Sequence, residues 1–109
     1  MSSITTHILD AVLGKPAARV PVRLERNSSD GWLPVNDSVT NSDGRCTDLC
    51  HEAEHGSYRL IFATGAYFEK QHRTSIYPEI AITFIVDGTH SYHLPLLLSD
   101  NSYTTYRGS

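Results

Sequence analysis

Lysine is nearly absent from this chain of 109 residues: Lys15 and Lys70 are the only two, and the seven arginines are scattered. The formal charge is −3. No basic face of the kind that holds a phosphate backbone can be assembled, which excludes nucleic acid as a partner. Long apolar runs are missing as well. Leu96-Leu97-Leu98 is typical of the longest, far short of the roughly 20 residues that cross a bilayer, so no membrane association is expected. The segment Met1 to Asp10 has no basic region, no continuous apolar stretch and an early acid, unlike a secretory leader. There are only two cysteines, Cys46 and Cys50. On a strand they would lie about 13 Å apart, beyond the roughly 7 Å limit for a disulfide. A reduced, cytoplasmic protein is expected. Nucleophile motifs of the Gly-x-Ser-x-Gly type, phosphate-cradling glycine loops, internal repeats and linkers are also absent.

What remains is ordinary globular composition, 39% apolar and 19% charged, long enough for one domain over residues 1–109. A chain this small buries only about two-thirds of its unfolded surface, so assembly with further copies would add stability. Turn signals recur at short intervals: Gly14-Lys15-Pro16, Ser28-Ser29-Asp30-Gly31, Asn41-Ser42-Asp43-Gly44, Glu54-His55-Gly56, Asp87-Gly88-Thr89 and Ser99-Asp100-Asn101. Between them apolar residues alternate. Val20, Val22 and Leu24 share one face, as do Ile80, Ile82, Phe84 and Val86, and again Tyr92, Leu94, Leu96 and Leu98. Tyr58 to Ala63 is nearly all apolar, as in a central strand. Short strands at this spacing predict an all-β antiparallel sandwich or barrel. Thr64 to Arg73 lacks β-branched alternation and predicts one short helix.

Six histidines are present, and they sit in different settings. His7 falls within a strand expected over Ile4 to Leu13, on the face of Thr5, Leu9 and Ala11. His93 falls opposite Tyr92, Leu94 and Leu96, beside Pro95 and Leu97. Imidazole is the side chain whose unperturbed pKa suits proton transfer near neutrality. Alternation alone leaves two readings open, solvated outer-face residues or groups that activate water. His51 and His55 are spaced to bind a metal only if their segment is helical. Glu52 and Glu54 flank them, but Gly56 and the strand context favour a polar loop. His72 and His90 fall in turn-like stretches. Arg45, just after the Asn41–Gly44 turn, can clamp a carbonyl or an anion with its planar fork. Cys46 and Cys50 alternate to one side and read as packed thiols. Catalysis, if present, would be activation of water by histidine with help from arginine, requiring no cofactor and no metal. Two tyrosines and paired threonines in Tyr103 to Tyr106 read as a strand close to the end of the chain. That arrangement can bring Tyr106, Arg107 or the final carboxylate into a site.

Several segments, in order and across nearly the whole chain, resemble the transthyretin-related 5-hydroxyisourate hydrolases. They are Thr6-His7-Ile8-Leu9-Asp10, Gly14-Lys15-Pro16-Ala17-Ala18, Pro21-Val22-Arg23-Leu24, Thr40 to Arg45, Thr64-Gly65-Ala66-Tyr67-Phe68 and Tyr77-Pro78-Glu79-Ile80. The most specific are Tyr92 to Ser99 and the terminal Tyr106-Arg107-Gly108-Ser109, which is similar to the family's signature tetrapeptide. The resemblance implies a transthyretin-like sandwich of two four-stranded sheets with a short helix after the fifth strand. It also implies a homotetramer built as a dimer of dimers, with active sites in the channel between dimers. The implied reaction is hydrolysis of 5-hydroxyisourate to 2-oxo-4-hydroxy-4-carboxy-5-ureidoimidazoline in urate degradation. The positions that match the family's catalytic residues are His7, Arg45 and His93, with Tyr106 and Ser109 from the tail; His7, Arg45, Tyr106, Arg107 and Gly108 would hold the substrate. Asp100-Asn101-Ser102 and Ser75-Ile76 depart from the family's usual pattern. Two alternatives stand beside this one. The same fold serves a vertebrate hormone carrier, which would make the chain a small-molecule binding module without catalysis. A zinc hydrolase built on His7 and His93 would need a third ligand from another subunit.

Overall fold

The computed structural model describes residues 1–109 and contains nine strands and one short helix. In chain order they are β1 (Ser2–Asp10), β2 (Lys15–Pro16), β3 (Pro21–Ser28), β4 (Gly31–Val39), β5 (Arg45–Ala53), β6 (Gly56–Phe62), α1 (Thr64–Glu69), β7 (Ile80–Val86), β8 (Tyr92–Ser99) and β9 (Ser102–Thr105). One sheet runs β4-β3-β6-β7 with every pair antiparallel. In the other, β1 and β8 lie side by side and β9 closes one edge. Along the free side of β1, β5 pairs with Ser2 to His7 and the two-residue β2 takes over at Leu9 and Asp10. Each sheet is therefore four positions wide, as expected, but the second contains five strands because one outer position is shared.

A further correction concerns direction. The sandwich is antiparallel except at the centre of the second sheet, where β1 and β8 run parallel. Nearly the whole chain intervenes between these two strands, so no hairpin dictates their sense. Their register sets Thr5 opposite His93 and His7 opposite Pro95. The core fills the space between the sheets with the alternating residues read from the sequence: Val22 and Leu24, Tyr58, Leu60 and Phe62, Ile80 and Val86, and Leu94, Leu96 and Leu98. β6 is central in its sheet, between β3 and β7. The helix occupies the first half of the predicted segment and buries Tyr67 and Phe68.

β1 stops at Asp10, three residues before the expected Leu13. The Asp10 side chain ends it by accepting hydrogen bonds from the Val12 and Leu13 amides at 3.1 and 3.0 Å, a turn that competes with strand pairing. β5 departs from simple alternation. Its pairing slips between Ile4↔Cys50 and Thr6↔Cys46, so two residues of β1 face four of β5, which is a bulged edge. Cys46 is buried and Cys50 half-buried, both as free thiols, with buried Leu49 between them; they do not share one regular face. His51 lies exposed on β5, and His55 lies exposed in the turn that follows. The helical face that their spacing would need for a metal does not exist.

The Asp10 carboxylate, fully buried, also fastens the helix to the sandwich. Its Oδ2 accepts from the Tyr67 hydroxyl at 2.7 Å and from Arg73 at 2.6 Å, and Arg73 reaches on to Asp100 at 2.5 Å. Next to it the Ile76 amide donates to Asn101 Oδ1 at 2.9 Å. The two stretches that depart from the family's pattern thus touch one another. Burial alone would raise the Asp10 carboxyl, but bonds from Arg73, the Leu13 amide and Tyr67 outweigh it and hold the group at about 2. A depressed carboxylate contributes stability above its unfolded value of 3.8 and loses it as pH falls toward 2. We expect Asp10→Asn to flatten the loss of stability between these pH values by about 2 kcal/mol, read from urea unfolding midpoints. An unchanged acid profile would contradict this role.

Candidate active site

On the outer face of the β1–β8 sheet lies a cleft of about 290 Å³ lined by Thr5, Arg45, Ser91, His93, Gly108 and Ser109, with no hydrophobic side chain among them. Each arrives by a different route. Thr5 and His93 face each other across the central parallel pair, with Thr5 Oγ1 2.8 Å from His93 Nδ1. Arg45 opens β5 directly across from His7 on β1. The turn before Arg45 is fixed by the Asn41 side chain, which accepts from the Asp43 and Arg45 amides at 2.9 and 3.0 Å. Gly44 in that turn has φ +76, and a Cβ there would collide with the Ile8 carbonyl. The turn can therefore press against β1, and Ile8 N–H donates to the Gly44 carbonyl at 2.8 Å. This contact sets the position of Arg45.

The tail is tied down rather than frayed. β9 ends at Thr105, and three residues later the Gly108 amide donates to the His93 carbonyl at 2.7 Å. A Cβ on Gly108 would come 2.8 Å from His93 Cδ2 and 3.3 Å from Pro95 Cγ, so only glycine lets the backbone lie against the imidazole. Arg107 does not line the cleft; it stacks 4.3 Å over the Tyr92 ring and donates to the Ser91 carbonyl at 3.2 Å. Its contacts anchor the tail. Tyr106 is 54% exposed and does not line the cleft.

Of the residues singled out from the sequence, Arg45, His93, Gly108 and Ser109 meet in one cleft, and His7 adjoins it as the cross-strand neighbour of Arg45. Tyr106 and Arg107 flank it. Thr5 and Ser91 also line the cleft and were not anticipated. A threonine on a strand looks like an ordinary β-former, and only the strand that lands beside it gives it a role. His93 is half-buried, and burial is the main cause that lowers its pKa, followed by the positive charges of Arg45 and His7. Its imidazole is therefore held in the neutral, proton-accepting form at neutral pH. Arg45 forms no ion pair within the chain, so its guanidinium is free to meet an oxygen of a ligand. No group of three or more His, Cys, Asp or Glu side chains is placed to hold a metal ion.

A larger groove, about 450 Å³, lies on the outer face of the other sheet between Pro21, Val39, Ile61 and Ala63. It contains the exposed Arg23–Asp37 pair and Glu79 but neither histidine nor cysteine, and nothing in it combines a proton acceptor with a free cation. The smaller cleft is the one that brings histidine and an unpaired arginine together.

Known proteins resemble this chain over nearly its whole length. The model of the HIUase/Transthyretin family matches residues 4–108. A 5-hydroxyisourate hydrolase of Salmonella dublin is 46% identical over 109 residues, covering 97% of this chain and 80% of that protein. The structure of Klebsiella pneumoniae 5-hydroxyisourate hydrolase superposes with a TM-score of 0.90 at 36% identity, covering 100% of both chains. Transthyretin from Sparus aurata superposes with a TM-score of 0.92 at 34% identity over 97% of this chain and 96% of that one. With the match running from the first strand to the anchored tail, the chain belongs to the HIUase/Transthyretin family.

Proposed function

We propose that this chain hydrolyses 5-hydroxyisourate to 2-oxo-4-hydroxy-4-carboxy-5-ureidoimidazoline, using His93 as the proton acceptor and Arg45 as the oxyanion clamp. The observation that supports it most is a cleft without any hydrophobic side chain in which a neutral imidazole and an unpaired guanidinium face the same space. Fold alone does not choose between a hydrolase and a carrier, since both kinds of relative superpose equally well. The lining does favour one. A channel for an apolar aromatic ligand needs apolar walls, whereas a small ring bearing several carbonyl and N–H groups needs paired donors and acceptors.

In the proposed reaction a water molecule attacks the carbonyl of the strained cyclic amide and gives its proton to His93 Nε2. The new C–O bond leaves an oxyanion, which Arg45 meets with its planar fork. Collapse breaks the ring C–N bond, and the imidazolium returns the proton to the departing nitrogen. A carboxylic acid, which releases its proton to solvent, and a free amide N–H result, and no covalent enzyme intermediate is needed. His7, beside Arg45, helps to orient the ring, and the Gly108–Ser109 backbone forms one wall. We further propose a homotetramer, a dimer of dimers in which this sheet face meets that of another copy. The exposed Tyr106 supports it, as it would then be covered. A cytoplasmic location is part of the same reading. No helix of the chain is long and apolar enough to cross a membrane.

The test is the decay of 5-hydroxyisourate, generated in the cuvette from urate by urate oxidase, with catalytic amounts of this protein after chelator treatment. Many turnovers per chain, well above the spontaneous rate, are expected. Decay at the spontaneous rate from the folded protein would move the assignment to a binding module.

A further inference from the structure

We propose that Thr5 is a positioning residue for His93: its hydroxyl oxygen accepts the Nδ1–H of the imidazole, which leaves the Nε2 lone pair facing the cleft. The proposal rests on the reading of His93 as the proton acceptor. Thr5 stands at the middle of β1, register partner of His93 on β8, and its Oγ1 lies 2.8 Å from Nδ1. Neither side chain makes any other hydrogen bond within the protein. In a neutral imidazole one nitrogen carries the proton and the other is a base, and the partner of the first decides which is which. A hydroxyl can serve either way, but only acceptance from Nδ1–H makes Nε2 a base.

The geometry around the ring supports this orientation. Nδ1 is held by Thr5 on one side. On the other, the Gly108 backbone lies so close to Cδ2 that a Cβ would come within 2.8 Å of it. The ring is gripped at both flanks, and its Cε1–Nε2 tip is the part left open to the cleft. Threonine suits the task better than serine, because its branched Cβ restricts χ1 on a strand and holds the oxygen in one place. When Nε2 takes a proton from water, the Nδ1–H bond to Thr5 persists and strengthens, being charge-assisted. Thr5 therefore acts on the transition state through His93 without touching the substrate's reacting atoms.

The experiment compares wild type with Thr5→Val, which keeps the shape and removes the hydroxyl, and Thr5→Ser, which keeps the hydroxyl. The first readout is the tautomer of His93 by ¹⁵N NMR without substrate, above the pH at which His93 titrates. Arg45 on β5, His7 on β1 and Arg107 in the tail are the charged or titratable groups around it, so all variants are read at one pH. Wild type is expected to carry the proton on Nδ1, and Thr5→Val to shift toward Nε2–H. The second readout is turnover: a loss of about 10–100-fold in kcat for Thr5→Val with KM nearly unchanged, largely restored in Thr5→Ser. An unchanged tautomer in Thr5→Val overturns the proposal whatever the rates. Equal losses in Thr5→Val and Thr5→Ser overturn it too, since a merely structural role does not distinguish them by the hydroxyl. The failure of the underlying reading is separate: full turnover in His93→Asn would remove His93 as the proton acceptor, and the tautomer result would stand on its own.

Discussion

Replacing His93 by asparagine is expected to lower kcat for 5-hydroxyisourate by about 10²–10⁴-fold, the range that a positioned general base contributes. Asparagine approximates the shape of the inner part of the imidazole and can still hydrogen-bond Thr5, but it cannot take a proton near neutrality. His93 is half-buried on a strand whose inner face supplies Leu94, Leu96 and Leu98 to the core. Its own ring faces outward, so fold and thermal midpoint should change little. His7 does not replace it. It lies two residues beyond Thr5 along β1, opposite Arg45 on one side and Pro95 on the other, outside the grip of Thr5 and Gly108. Stopped-flow decay of freshly generated substrate, with circular dichroism as the control for folding, reads the effect. Turnover near that of wild type in a folded variant would contradict the assignment.

The second large effect is expected at Arg45. Arg45→Lys keeps the charge but replaces a planar fork of five donors with a mobile point charge. Removing one preorganised oxyanion donor in other enzymes costs about 10²–10³ in kcat, and a loss of that order is expected here. The turn that delivers Arg45 is locked by the Asn41 side chain and by the close approach of Gly44 to β1, while the guanidinium itself has no carboxylate partner in the chain. A rigid mount for an unpaired cation is what a site needs when negative charge appears only in the transition state. Kinetics that match wild type would count against bidentate clamping and leave Arg45 as a source of positive potential.

Both residues stand out in the sequence, and the reasons differ from those for the features that stayed hidden. A histidine inside an alternating strand and an arginine after an Asn-Ser-Asp-Gly turn can carry chemistry, but local pattern leaves a solvated reading open for both, and it is the family resemblance that singles them out. The core is visible from local pattern alone: Val22 and Leu24, or Leu94, Leu96 and Leu98, repeat with the period of a strand. What stays hidden depends on partners remote in sequence. The parallel pairing of β1 with β8 joins residues 88 apart, as in Thr5 and His93, and no local pattern encodes it. Thr5 is consequently read as a mere strand former. Asp10 reads only as an acid that argues against an apolar leader, yet it terminates β1 and binds Tyr67 and Arg73. The bulged edge of β5 misleads in the other direction. Strict alternation sets Cys46 and Cys50 on one face, and the register slip against β1 undoes it.

The tail illustrates how residue type and placement combine. Gly108 looks unremarkable until the imidazole beside it is seen, and Arg107 binds by stacking on Tyr92 rather than by reaching into the cleft. On the proposed reading, a fold shared with transthyretin at a TM-score of 0.92 carries its chemistry in a few outward-facing positions of one sheet.

Whether a neutral imidazole activates the water is read most directly from kcat/KM for 5-hydroxyisourate as a function of pH, from about 5 to 8, since that ratio reports the groups that titrate in the free protein. Burial, then the charges of Arg45 and His7, lower the pKa of His93 from its ordinary 6.5. The proton-accepting form is therefore full at neutral pH and is lost as pH falls through that lowered value. The expected profile is level near neutrality, with an acid limb whose midpoint lies below 6.5 and which disappears from the residual rate of His93→Asn. A rate that stays level into acid, or an acid limb that survives unchanged in His93→Asn, would contradict His93 as the group that takes the proton.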